Sequence, residues 1–187
     1  VAVSSIEKYA KQYLEREIRA IENSARVAEF PHLTIYEKAF IYKYSEDGYE
    51  SVNETLRVSK GKINTDFGKL LNSILNKLAN FEDLVYRSVN LTNTETNRYI
   101  SAFENDTIIK EHAFVSTSKV RLNAMAYGGN TLFVIFSKSG KEIEKIAKFG
   151  IFGASNENEV LFKPNRNFRV LDIEQKENHL LITMEEV

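Results

Sequence analysis

The hydrophobic period of this 187-residue chain changes near residue 80, and few folds accommodate that change. Before it, Ile6, Tyr9, Ala10, Tyr13, Ile18, Ile21 and Ala25 recur at helical spacing behind a Ser4-x-x-Glu7 capping box. They predict one long amphipathic helix up to the Phe30-Pro31 break. A second box, Thr34-x-x-Glu37, opens a helical segment through Tyr42, and Ser45-Glu46-Asp47-Gly48 reads as a turn. Val52 to Leu56 reads as a short helix ending near Arg57, with a polar connection through Gly61. Asn64 is the expected N-cap of a helix whose stripe is Phe67, Leu70, Leu71, Ile74, Leu75 and Leu78, a packed core face.

After residue 80 the runs are short and strand-like. Leu84 to Val89, Ala113 to Ser116, Val160 to Phe162, Phe168 to Ile173 and His179 to Met184 read as strands, with a helix over Glu95 to Phe103. The continuous run Thr131 to Phe136 predicts a strand buried on both faces. Helices over 1–80 and mainly strands over 81–187 predict a single α+β domain rather than a doubly wound sheet. No repeat or linker divides it, and the start at Val1 rather than Met suggests a processed product or a piece of a longer protein.

Composition narrows the chemistry. With 25 basic and 26 acidic residues the net charge is -1, which points away from a general nucleic-acid or membrane-surface binder. The absence of cysteine removes disulfides, thiolate nucleophiles and thiolate metal sites. His32, His112 and His179 are far apart and fit no metal-binding spacing, so no metal is expected. No glycine fingerprint of a dinucleotide fold follows a strand. Asn53, Asn90 and Asn105 begin Asn-x-Thr triplets that read as chance.

Three features converge on one chemistry. Glu157 and Glu159, two residues apart, would share a side if the chain there is extended. Arg87 ends the apolar run Leu84-Val85-Tyr86, and the hydroxyls Ser116-Thr117-Ser118 follow Ala113-Phe114-Val115. One carboxylate can stabilise an oxocarbenium-like ribose as its glycosidic bond breaks, and a second can orient or deprotonate the acceptor. An arginine holds phosphate by charge-assisted bonds. The substrate this implies is a ribosyl phosphate with a good leaving group, for which NAD is the obvious candidate. The plain alternatives are a solvated strand edge for the glutamates, an interstrand salt bridge for Arg87 and local side-chain bonding for the hydroxyls.

Arg87, Ser116-Thr117-Ser118 and Glu157-x-Glu159, in that order, resemble the Arg/Ser-Thr-Ser/Glu-x-Glu pattern of bacterial mono-ADP-ribosyltransferase toxins. That group includes the binary actin-modifying toxins and C3-like exoenzymes. Residues 42–57, YKYSEDGYESVNETLR, and the stretch GKEIEKIAKFGIFGASNENEVLF extend the resemblance over most of residues 33–175. It implies N-terminal helices packed on two small β-sheets flanking an NAD cleft. It also implies NAD as co-substrate, Glu159 as the group stabilising the sugar cation, and Glu157 as the group that positions and deprotonates an arginine acceptor. Arg87 would bind NAD phosphate, the backbone at Ser88 the nicotinamide amide, and Arg57 a second phosphate. Ser116 would orient Glu159, with Thr117 and Ser118 supporting the strand. Phe149 or Phe152 would meet the target protein, actin by resemblance, through the 148–157 loop. Many relatives carry Gly or a second Arg where this chain has Ser88. Ser137-Lys138-Ser139-Gly140-Lys141 is a further phosphate-facing turn by composition.

The resemblance further implies a secreted or injected toxin acting in a target cell's cytoplasm, with a translocation partner or companion domain. Two alternatives stand beside the transferase: an NAD glycohydrolase that passes ADP-ribose to water, and a non-catalytic domain that docks a translocation partner.

Overall fold

The computed structural model describes residues 3–187, whose contacts fall into two compact units. One holds the chain up to Ala79 together with Glu142–Glu159, and the other holds Asn80–Lys141 with Val160–Val187. The helical half therefore also takes in the eighteen-residue stretch that ends on the second glutamate.

The first unit is built from α1 (Ser5–Tyr13), α2 (Glu15–Glu22), a 3-10 turn (Ala25–Ala28), α3 (Ile35–Lys43), α4 (Tyr49–Val58) and α5 (Asp66–Leu75). The single long N-terminal helix is corrected to two. Leu14 leaves helical geometry (φ -120°, ψ 31°), although its N–H still bonds Ala10 O and its carbonyl still accepts from Ile18. The bend keeps Ala10, Leu14 and Ile21 buried while both helices pack on α3. Ser4 caps α1 through Glu7 N, but Glu7 turns its carboxylate to Lys11 at 2.6 Å, as an i,i+4 pair does. The Thr34/Glu37 box on α3 is reciprocal, as its spacing predicts.

Ser45 to Gly48 is not a turn. Tyr44–Gly48 is one π-helical turn that carries α3 into α4, and a Lys43–Asp47 ion pair of 2.7 Å spans it. The polar, glycine-ended composition misled because Ser, Asp and Gly are turn-favouring residues. Helix α4 is longer than Val52 to Leu56, and the N-cap of α5 is Thr65, whose hydroxyl accepts from Gly68 N, rather than Asn64. Helix α5 stops at Leu75, although Leu78 is still buried.

Glu37 links this core to pH. Burial opposes its charge, but bonds from Lys77 (2.6 Å) and from the Thr34 N–H outweigh that and hold its pKa below the ordinary carboxylate value. A lowered folded pKa stabilises fully above the unfolded value and is lost as pH falls through the folded one. Urea midpoints from about pH 6 to about pH 3 should therefore fall less steeply in Glu37→Gln, which starts less stable. Parallel curves would show that Glu37 is not a source of the acid sensitivity.

The second unit contains α6 (Asn93–Glu104), α7 (Arg121–Ala126) and most of the sheet. Its strands are β1 (Leu84–Val89), β2 (Ile108–Glu111), β3 (Val115–Ser118), β4 (Thr131–Phe136), β5 (Lys141–Glu142), β6 (Glu159–Phe162), β7 (Arg166–Gln175) and β8 (Leu180–Glu186). The sheet order is β2-β7-β8-β4-β1-β3-β6-β5. Two small sheets were the expectation. The observed register joins β1 to β3 through the single pair Tyr86–Ser118, so two strand groups meet along one narrow seam.

β4 lies between β1, antiparallel, and β8, parallel, and buries Thr131, Leu132, Phe133 and Ile135 while Phe136 is exposed. Val85, Phe133, Ile135, Val160, Phe162, Phe168 and Ile182 form the core of this unit. Sequence periodicity overlooked β2, α7 and β5, and it placed β3 two residues early. It also missed the Thr92/Glu95 capping box that starts α6.

Candidate active site

Strand β1 presents Arg87, half-buried, in register with Phe133 of β4. Its guanidinium donates to the carbonyl of Ser116 at 2.9 Å. The structure thus brings the arginine and the hydroxyl run together. Ser88 sends its hydroxyl to Gly128 O at 2.7 Å, tying β1 to the end of α7.

On β3, Thr117 is buried and donates to the carbonyl of Val160 at 2.6 Å, so it holds the residue that follows Glu159. Ser118, also buried, accepts from Val120 N at 3.1 Å. Arg57 is exposed in the last turn of α4. Asn53 is buried and donates to the Tyr44 hydroxyl, which makes its Asn-x-Thr triplet a packing feature.

Glu159 is the first residue of β6, 5% exposed, and its carbonyl accepts from Ile143 N at 3.1 Å. Glu157 is half-buried and lies outside the strand. Asn158 between them has φ +50°, so strand alternation does not set the direction of the two carboxylates. The cause is an Asx turn, in which Asn158 N donates to Asn156 Oδ1 at 2.8 Å. Asn tolerates this left-handed conformation better than most residues.

A framework that no motif announces holds the stretch before these glutamates. Glu144 accepts from the side-chain amides of Asn156 (3.2 Å) and Asn158 (2.9 Å), and its carbonyl accepts from Ile151 N. A Cβ on Gly150 would lie 1.9 Å from Glu144 O, so only glycine fits where the chain folds back. Glu157 N donates to Phe149 O at 2.9 Å.

Arg26, buried on the 3-10 turn, donates to three successive carbonyls of this stretch: Ile146 (2.9 Å), Ala147 (3.1 Å) and Lys148 (3.3 Å). Burial lowers the pKa of its guanidinium, and the Tyr42 ring, 5.1 Å away, partly offsets that. Ser45 accepts from Lys148 N, and Glu46 pairs with Lys148 Nζ at 3.0 Å. An arginine followed by apolar residues in a polar stretch was the only available signal for Arg26.

Phe149 is half-buried, with Lys148 over its ring, whereas Phe152 and its neighbour Ile151 are exposed. The Ser137 to Lys141 turn does not present its amides to an outside phosphate. The N–H groups of Lys138 and Ser139 both donate to the buried Glu186 carboxylate at 2.7 Å, so the chain supplies its own anion there. Among the described residues no group of His, Asp and Glu could hold a metal ion.

The profile of the ADP-ribosyltransferase exoenzymes matches residues 5–187. The chain belongs to that family. Vis of Vibrio splendidus, which carries the name NAD(+)–arginine ADP-ribosyltransferase, is 27% identical over 176 residues, covering 84% of this chain and 67% of Vis. The structure of Vis with agmatine aligns at TM-score 0.64 and 25% identity over 100% of this chain and 88% of that one. Exoenzyme S of Pseudomonas aeruginosa, solved with human 14-3-3 β and carba-NAD, aligns at TM-score 0.73 and 18% identity, covering 97% and 86%. The Clostridium limosum C3 exoenzyme aligns at 0.63 and 18%, covering 100% and 97%. These last two likenesses speak for the α+β fold; the family match makes the chain an ADP-ribosyltransferase.

Proposed function

We propose that the chain transfers ADP-ribose from NAD to an arginine side chain of a protein in another organism's cell. The observation that carries this is Glu157 beside the strand residue Glu159, in a chain whose relative Vis carries the name of an arginine transferase and was solved with the guanidine agmatine. Arg87 binds a phosphate of NAD, Ser88 and the Ser116-Thr117-Ser118 strand bind its nicotinamide ribose end, and Arg57 adds a second phosphate contact. The bond from ribose C1′ to the nicotinamide nitrogen breaks with its electron pair passing to the ring, which leaves neutral. Glu159 stabilises the cationic sugar by charge. A guanidinium nitrogen then bonds to C1′ and gives its proton to Glu157. Phe152 and Ile151, exposed on the loop before Glu157, meet the acceptor protein.

The test follows labelled ADP-ribose from NAD into lysate protein while nicotinamide release is measured in parallel. Glu157→Ala should lose protein labelling by at least about a hundredfold while keeping most NAD cleavage, because water needs less positioning than a guanidinium. Equal loss of both would remove the acceptor role from Glu157. NAD cleavage with no labelling by the unaltered chain would favour the glycohydrolase.

A further inference from the structure

Glu157 receives the acceptor in the reading above, yet it lies outside β6, and the left-handed Asn158 after it removes the alternation that would aim it. The chain on either side of it is nevertheless bound to one atom. Glu144 Oε2 accepts from the side-chain amide of Asn156 at 3.2 Å and from that of Asn158 at 2.9 Å, the residues before and after Glu157. Asn158 N donates to Asn156 Oδ1 at 2.8 Å, which closes the turn around the glutamate. Bonds to an ionised carboxylate are roughly twice as strong as neutral ones, so the hold is firm.

Glu144 is itself anchored. Its neighbour Ile143 is fully buried and donates its N–H to Glu159 O at 3.1 Å, and Glu144 O accepts from Ile151 N at 2.8 Å. Two consecutive residues therefore register both glutamates. Ile143 holds Glu159 by its backbone, and Glu144 holds the two flanks of Glu157 by its side chain.

We infer that Glu144 is a positioning residue that decides the acceptor, directing ADP-ribose to a guanidinium rather than to water. The inference rests on the arginine-transferase reading above. A guanidinium must meet C1′ in one orientation, and a displacement of about 1 Å in the group that presents it costs up to about a hundredfold in rate. Water needs no such presentation. Without the Glu144 carboxylate, the half-buried Asn156 and Asn158 lose their common acceptor and the backbone at Glu157 is no longer fixed from both sides. Glu159 keeps its place at the start of β6, because its bond to Ile143 uses backbone alone. Loss of Glu144 therefore impairs transfer and spares cleavage of NAD.

The experiment measures agmatine modification, and NAD cleavage without an acceptor, in the same preparations. Glu144→Ala should lower kcat for agmatine modification about tenfold to a hundredfold, while KM for NAD and the cleavage rate stay within about twofold. Glu144→Gln should keep most of the transfer, because one carbonyl oxygen still accepts from both asparagine amides. Adding Glu144→Ala to Glu157→Ala should lower agmatine modification by no more than about twofold beyond Glu157→Ala alone, since a residue that acts through Glu157 then has nothing to position. Equal losses of transfer and cleavage in Glu144→Ala, or an unchanged ratio of the two, would overturn the inference and leave the arginine-transferase reading standing. A full second loss in the double variant would overturn it as well, by showing that Glu144 acts independently of Glu157. Agmatine left unmodified by the unaltered chain overturns the reading beneath, and the inference with it.

Discussion

Glu159→Ala is expected to lower both nicotinamide release and ADP-ribose transfer, by about a hundredfold to a thousandfold. That range is typical of removing one preorganised electrostatic group from a transition state, and at 1.36 kcal/mol per tenfold it corresponds to about 3 to 4 kcal/mol. The two activities should fall together because both pass through the broken C1′ to nitrogen bond. Glu157→Ala should separate them, since in the proposed reaction Glu157 acts only after the sugar has become electrophilic.

Glu159→Gln refines the test. It keeps the shape of a side chain that is 5% exposed and removes only the charge, so its loss should approach that of Ala. Single-turnover nicotinamide release is the measurement, with thermal unfolding alongside to show that β6 still forms. NAD cleavage within a few-fold of the unaltered chain in both variants would remove Glu159 from the cation-stabilising role.

The α+β class was legible because the period of the apolar residues changes from helical to strand-like near residue 80. Strands such as β1 and β4 followed from six-residue apolar runs. The breaks were harder to read. Leu14 is an apolar residue in an apolar stripe, and it interrupts a helix only because both halves pack on α3. The π turn at Tyr44–Gly48 carries loop residues yet continues the helix.

The site shows the same division. Arg87, Ser116, Glu157 and Glu159 were singled out by the resemblance of their order to the family pattern, and Arg87 does meet Ser116. What directs Glu157 could not be listed, because it depends on Asn158 being left-handed and on Glu144 holding two asparagines from twelve and fourteen residues away. The Ser137 to Lys141 turn failed for a related reason. A turn that offers amides to an anion cannot declare that a glutamate from the far end of the chain, Glu186, already occupies them.

Arg26→Leu should be the most damaging substitution away from the motifs. The guanidinium sits among Ile146 O, Ala147 O and Lys148 O, and no water-exposed route to rebonding is evident for a side chain 6% exposed. Leucine restores apolar volume but leaves these carbonyls without their donor, at about 1 to 3 kcal/mol for each group that stays buried. With partial rearrangement, about 3 to 5 kcal/mol is expected, a large share of the stability of a domain this size.

Arg26→Lys should lie between, since an ammonium cannot spread its donors in a plane across three successive carbonyls. Chemical denaturation measures the loss. Hydrogen exchange of the Ile151 and Glu157 amides shows where it falls, because both are donors within the stretch that Arg26 holds. If Arg26→Leu unfolds at the same denaturant concentration as the unaltered chain, the three bonds contribute nothing net, and another contact holds the loop before Glu157. If stability falls and exchange quickens at those two amides, an arginine outside every motif fixes the backbone that leads into Glu157.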